Sequence, residues 1–367
     1  MTVIVVVGTR PEIIKMAPLI KELHKKGIAF TFIHTGQHYD YVMSEIFIKQ
    51  LELPPPHVSL ELTSEDSVAQ VGEMIVKLKE VLEGVVQDRG GSVVLVQGDT
   101  NSTLAVALTA LKLGFRIGHV EAGLRSFDWK MPEEHNRRIV DHISDYLFAP
   151  TEIARENLLR ERVYGEVFVT GNTVIDAVNM YFDKVIEVEH RLFELLKFDT
   201  YALVTFHRAE NVDNPITLEN FVKILEKSPI PLIFPIHPRT KKRLQEFGLW
   251  SRVEGIQHLQ LIPPQGYFEF LALMKNCKVI MTDSGGLQEE ATHPKIRKPV
   301  LVLRKSTERP EAVIHGFVRI VGTNPIIVLA ELVKILSEEI KLPENSPFGD
   351  GKAAIRIIDV VMSRLKM

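Results

Sequence analysis

VIVVVGTRPEIIKMAPL occupies residues 3–19. Val3 to Val7 are all apolar and β-branched, with no polar face, as in a strand buried on both sides. Gly8 permits a tight turn. Pro11 has the fixed φ suited to a first helical turn, and the apolar spacing from Ile13 to Lys25 predicts a helix. Strand, turn and helix in this order make one βα step, and the chain repeats it.

Predicted strands follow at Ala29–His34, Val93–Gln97, Arg116–Val120, Tyr146–Ala149 and Val167–Thr170, alternating with predicted helices at Ser67–Val86, Ser102–Leu113 and from Glu134 to Ile143. A second series starts near Tyr201. It has predicted strands at Ala202–Phe206, Leu232–Ile236, Lys278–Thr282, Pro299–Leu303 and Phe317–Val321, with helices at Leu218–Leu225, Tyr267–Lys275 and Ile326–Leu336. Asp183–Glu194 reads as a helix near the boundary. Strands apolar on both faces between amphipathic helices predict parallel sheets in an α/β fold. The expected division is an N-terminal domain at 1–171, a second domain at 172–350 and a terminal piece at 351–367. In that piece positions 355, 358, 362 and 365 form one helical stripe. Two such domains are expected to face a cleft, with ligands at the carboxyl ends of the strands.

The 367 residues carry 44 basic and 47 acidic side chains, a net charge of −3 that does not favour a nucleic-acid surface. The single cysteine, Cys277, excludes an intrachain disulfide and suits a reducing compartment. The start MTVIVVVGTRPE has no basic leader and does not resemble a signal peptide. No stretch approaches the roughly 20 apolar residues of a membrane span.

The polar motifs fall at predicted strand ends. GTRPEIIK is neither GxGxxG nor GxxxxGK[ST], so neither a dinucleotide nor an ATP site is indicated. Arg10 and Lys15 bracket that turn with positive charge, Lys15 with an equal claim to a plain surface position. VVLVQGDTNST places Asp99 after Gly98, as a site carboxylate or as a helix N-cap. IGHVEAGLRSFDWKMPEEHNRR gathers His119, Glu121, Arg125, Asp128, Glu133, Glu134, Arg137 and Arg138 in one loop. Glu121, if partly buried, suits acid or base work; the rival reading is a structural ion pair with Arg125 or Arg137. LVTFHRAEN presents His207 and Arg208, and IFPIHPRT presents His237 and Arg239. In TDSGGLQEEA, Ser284, Gly285 and Gly286 offer a hydroxyl and an amide nest for phosphate oxygens. Glu289 and Glu290 are adjacent and face different ways, so only one is expected to reach a ligand. A carboxylate accepting from two vicinal hydroxyls fits ribose. LRKSTERPEAV adds Arg309. No HExxH and no cysteine cluster occurs, so no metal site is predicted.

Together GTRPEIIKMAPL, QGDT, HVEAGLRS, PEEHNR, HRAEN, TDSGGLQEEA and TERPEAV resemble the non-hydrolysing UDP-N-acetylglucosamine 2-epimerases over about residues 3 to 365. The resemblance implies two Rossmann-like domains in the arrangement of GT-B glycosyltransferases, no NAD or other cofactor, and a C-terminal helix returning to the first domain. It implies a cytoplasmic homodimer that interconverts UDP-GlcNAc and UDP-ManNAc by eliminating UDP to 2-acetamidoglucal and adding it back. Carried over by motif, Asp99, Glu121 and Glu133 are acid/base candidates and His207 assists the departing diphosphate. Arg10, Lys15 and Arg137 hold phosphate or orient carboxylates, and Arg309 is a further substrate-binding cation offered by the second domain. Ser284, Gly285 and Gly286 hold phosphate, Glu290 the ribose, and His237 sits near the cleft. The chain departs from many bacterial members at Ala209, where they carry arginine. It also departs in the GQHYDYVM and LTSEDSVAQ tracts, so activation by a second substrate molecule is not expected to carry over. The alternatives are a GT-B glycosyltransferase using a UDP-sugar donor, a hydrolysing relative, a nucleotide-sugar sensor, and a 2-epimerase for a UDP-2,3-diacetamido sugar.

Overall fold

The computed structural model describes residues 2–37, 41–64, 66–85 and 88–365. Parts of GQHYDYVM and LTSEDSVAQ, at residues 38–40 and 65, lie outside the described residues. The chain forms two compact units, Met1–Met180 with Phe348–Met367, and Tyr181–Pro347. Each is a parallel sheet with helices, so the protein is α/β with two Rossmann-like domains.

In the first unit the strands are β1 (Val3–Val7), β2 (Phe30–His34), β3 (Val58–Ser59), β4 (Val93–Gln97), β5 (Arg116–Val120), β6 (Tyr146–Ala149) and β7 (Glu166–Val169). Their order is β3-β2-β1-β4-β5-β6-β7, and every pairing is parallel. β1 and β4 are buried throughout, as the apolar runs Val3–Val7 and Val93–Val96 require. The connections run one way from β1 to β3 and return beside β1 at β4, so the turns after β1 and β4 flank a topological switch point.

The second unit has β8 (Ala202–Thr205), β9 (Leu232–Pro235), β10 (Leu259–Ile262), β11 (Val279–Thr282), β12 (Val300–Val302) and β13 (Val318–Ile320). Their order, β10-β9-β8-β11-β12-β13, repeats the pattern, with the switch point between β8 and β11. β10 does not emerge from the sequence reading, because HLQLIPP mixes polar and apolar residues before two prolines.

The polar segment read as a helix from Asp183 belongs to one helix, Thr173–Phe193. The division of the chain between the two units falls within this helix, between Met180 and Tyr181. Its first turns belong with the first unit: Asp176 accepts from the backbone N–H groups of Ala353 and Ala354 at 3.1 and 2.8 Å. Those amides open helix Ala353–Leu365, which buries Ile357, Ile358 and Val361 and packs against helix Arg10–Lys25. No helix among the described residues is long and apolar enough to cross a membrane.

Candidate active site

In the first unit the turn after β1 is set by a residue that the sequence reading passes over. Glu12 is buried. It accepts from the backbone N–H of Gly8 and, at 2.8 Å, from that of Thr9. Its other oxygen accepts from the hydroxyls of Thr100, in the turn after β4, and Thr103, at 3.2 Å. Burial pushes the Glu12 carboxyl above the usual range, against the pull of these donors. Gly8 is required by close approach: a Cβ there would lie 2.0 Å from Ser102 Oγ and 2.3 Å from Thr35 Oγ1. The helix starts at Arg10, and the Arg10 guanidinium lies 4.2 Å from the centre of the Phe47 ring.

Lys15 is buried and forms an ion pair with Glu121 at the end of β5. The surface reading of Lys15 is thereby excluded, and so is the pairing of Glu121 with Arg125 or Arg137. Glu121 also accepts from Asn172 Nδ2 at 3.1 Å. Its φ is +70°, a left-handed conformation that a non-glycine side chain adopts at a cost. The amides of Glu121 and Ala122 both donate to the Phe148 carbonyl at 3.1 Å, which holds that strained turn in place.

Asp99 is half-buried and is not the N-cap. Thr100 takes that position, its hydroxyl accepting from Thr103 N at 3.2 Å. Asp99 Oδ2 instead lies 3.2 Å from Nη1 of Arg137, and its carbonyl accepts from Asn136 Nδ2 at 2.9 Å. Arg137 is almost fully buried, and its Nε and Nη2 have no hydrogen-bond partner among the described residues. Buried guanidinium nitrogens left open beside a carboxylate are groups that a ligand oxygen would satisfy. In the PEE tract the neighbours divide: Glu134 is buried and accepts from Ser126 N and Oγ at 2.9 Å, while Glu133 stays half-exposed on the first turn of helix Pro132–Ile143.

In the second unit the predicted residues lie after β8, β9, β11 and β12. Their common anchor is Asp283, fully buried and also passed over by the sequence reading. It accepts from His207 N at 3.0 Å, Arg208 N at 2.8 Å and Asn211 Nδ2 at 3.1 Å, and its Oδ1 is 3.3 Å from His207 Nδ1. The rings of His207 and His237 are 5.6 Å apart. His237 Nδ1 accepts from Arg239 N at 3.2 Å, which leaves the ring proton on Nε2 in the neutral form.

The SGG turn leads into a single helical turn, Gly286–Glu290. Ser284 N donates to Thr282 Oγ1 at 2.9 Å. A Cβ on Gly285 would lie 2.7 Å from Arg309 Nη1 and from Glu308 Oε1. Glu289 is fully buried and accepts from Arg309 Nε at 3.1 Å, so it faces inward and leaves Glu290 on another side of the turn. Arg309 pairs with both Glu289 and Glu308, and Glu308 also pairs with Arg304 at 3.0 Å. This geometry makes Arg309 a brace for the Gly285 turn. No group of three or more His, Cys, Asp or Glu side chains that could hold a metal ion occurs among the described residues.

The family model for UDP-N-acetylglucosamine 2-epimerase matches residues 21–362. The chain belongs to this family. As a member of the UDP-N-acetylglucosamine 2-epimerase family, the protein is an epimerase. It is 46% identical to the UDP-N-acetylglucosamine 2-epimerase of Methanocaldococcus jannaschii, over 97% of this chain and 98% of the relative. A crystal structure of the Methanocaldococcus jannaschii enzyme with UDP-GlcNAc and UDP matches 99% of this chain and 100% of that one, with a TM-score of 0.91 and 44% identity. The UDP-2,3-diacetamido-2,3-dideoxy-D-glucuronate 2-epimerase of Pseudomonas aeruginosa is more distant, 35% identical over 98% of this chain and 99% of the relative.

Proposed function

We propose that this epimerase interconverts UDP-N-acetylglucosamine and UDP-N-acetylmannosamine, with the first unit acting on the sugar and the second holding UDP. One observation carries the proposal. Asp99 and Glu121 end the adjacent strands β4 and β5, each tied to a buried cation, Arg137 and Lys15, and Glu121 sits on a strained backbone.

The C2 proton of the sugar has no neighbouring carbonyl to acidify it, so its removal must be coupled to loss of a good leaving group. In the proposed reaction one carboxylate takes the C2 proton, the C1–O bond breaks, and its electron pair leaves with UDP. The product is a C1=C2 glycal. In the return step a proton is delivered to the opposite face of C2 and the UDP oxygen rebonds to C1. Asp99 and Glu121 serve the two faces, with Glu133 supporting or exchanging roles. Arg10 and Arg137 stabilise charge on the departing diphosphate, and Lys15 orients Glu121 through their ion pair. His207, fixed by Asp283, contacts the diphosphate. Ser284, Gly285 and Gly286 offer the phosphate a hydroxyl and backbone amides, Glu290 serves the ribose, and His237 lies beside His207. The resemblance further supports a cytoplasmic homodimer, which light scattering on the purified protein checks.

Incubation with UDP-GlcNAc in deuterated water decides the reaction. Both epimers should appear, with deuterium at C2 of the product. Product without deuterium at C2, or release of free sugar alone, would overturn the proposal.

A further inference from the structure

A chain of buried and half-buried ion pairs in the first unit starts and ends at one turn. His119, fully buried on β5, has Nε2 at 2.8 Å from the Gly98 carbonyl and Nδ1 at 2.7 Å from Asp141 Oδ1. Asp141, also fully buried, accepts from Arg125 Nη2 at 2.7 Å and from Gly123 N at 3.2 Å. Arg125 makes a two-pronged pair with Glu161 at 2.9 and 2.6 Å. Glu161 pairs with Arg138, Arg138 with Glu134 at 3.2 Å, and Glu134 lies 3.6 Å from Arg137 Nε. Arg137 reaches Asp99, the residue after Gly98. Cation and anion alternate along the whole path.

Both ring nitrogens of His119 face acceptors, a carbonyl and a carboxylate. A neutral imidazole has only one N–H to donate. The geometry is satisfied when each nitrogen donates into its own hydrogen bond, to the Gly98 carbonyl on one side and to Asp141 on the other. Burial alone would raise the Asp141 carboxyl, but His119 and Arg125 together hold it below the usual range.

We propose that Asp141 and His119 are positioning residues for the epimerisation: Asp141 holds His119 as a double donor, His119 fixes the Gly98 carbonyl and so the place of Asp99, and Asp141 fixes Gly123 and so the turn of Glu121. Neither residue is exposed enough to touch a ligand. Asp141 lies on helix Pro132–Ile143, which also carries Glu133 and Arg137. One buried carboxylate therefore ties together the three segments that bear the acid/base candidates. The inference rests on the reading of Asp99 and Glu121 as acid/base residues.

The test uses the full-length protein with 15N-labelled histidine, and the variant Asp141→Asn. Asparagine keeps the shape and can donate to Nδ1, which leaves a neutral ring bonded to Gly98. In the wild type the His119 ring should show protons on both nitrogens at neutral pH, and in D141N the Nδ1 proton should be gone. Misplacing a catalytic group by a fraction of a bond length is expected to lower kcat by about 10- to 100-fold. KM and UDP affinity should stay close to wild type, because UDP is held by the second unit. A His119 ring with a single proton in the wild type, or a folded D141N variant with unchanged kcat, overturns the proposal. If D141N does not fold, the wild-type ring spectrum decides. Asp99→Asn is the control for the underlying reading: if it retains C2 exchange, the role of Asp99 fails, while the ring spectrum still judges the link itself.

Discussion

Lys15 and Glu121 show how much a single pair decides. They are 106 positions apart in the chain and meet buried, Lys15 from helix Arg10–Lys25 and Glu121 from the end of β5. Removing one partner of a buried pair leaves an uncompensated charge, which costs about 3–5 kcal/mol. Lys15→Met should therefore lower unfolding stability by about that amount and abolish C2 exchange. Adding Glu121→Gln to it should restore much of the stability but none of the activity, as read by denaturant melts and the deuterium assay. Equal stability of Lys15→Met and wild type would show that the pair is not held in the folded protein. Glu12 and Asp283 belong to the same scale. Each accepts several backbone N–H groups from turns flanking a switch point, and each is an acid in an unremarkable sequence position. Nothing in the local pattern marks them, because their partners are Thr100 and Thr103 in one case and His207, Arg208 and Asn211 in the other.

Among the elements, the terminal helix Ala353–Leu365 has a titratable anchor. Asp176 caps its first amides, and burial raises the Asp176 carboxyl to about 6, against the pull of those backbone donors. A folded-state value above the unfolded one means that the folded protein binds the proton more tightly. The contribution to stability is fully present below the unfolded value near 3.8 and is lost as pH rises through about 6. Wild-type stability relative to Asp176→Asn should thus fall by about 3 kcal/mol in all between about pH 3 and 7, most of it between about pH 4 and 6, and then level off. Parallel stability–pH curves for the two proteins would refute this. The elements themselves were largely legible. β1, β4, β5 and β6 appear at the predicted positions, β1 and β6 as unbroken apolar runs. Helix Arg10–Lys25 begins before the predicted Ile13 because Pro11 and Glu12 favour its first turn. Only the polar second half of helix Thr173–Phe193 is legible in the sequence, since its buried first half has no polar stripe to give a helical period.

For the molecule as a whole, the proposed division of labour has its own consequence. UDP alone should engage the second unit. At about 100 times its dissociation constant it should add about 2.7 kcal/mol of stability. Amide hydrogen exchange should slow in the turns after β8 and β11 more than in those after β4 and β5. Protection confined to the first unit would reverse the assignment of the two halves.

The amino-acid sequence by itself determined the α/β class, the two successive sheets and the strand-end placement of Arg10, Asp99, Glu121, His207 and the SGG turn. These follow from local rules: an apolar run of strand length must be covered on both faces, and glycine, proline and polar residues mark where it ends. Only the tertiary structure decided which charges meet. It paired Lys15 with Glu121, closed Arg309 onto Glu289 and Glu308, put Glu12 and Asp283 beneath the turns, and linked His119 through Asp141 to the turns that carry Asp99 and Glu121. Electrostatic partnership depends on distance and burial across separate strands, and neither quantity is written in the spacing of residues along one chain.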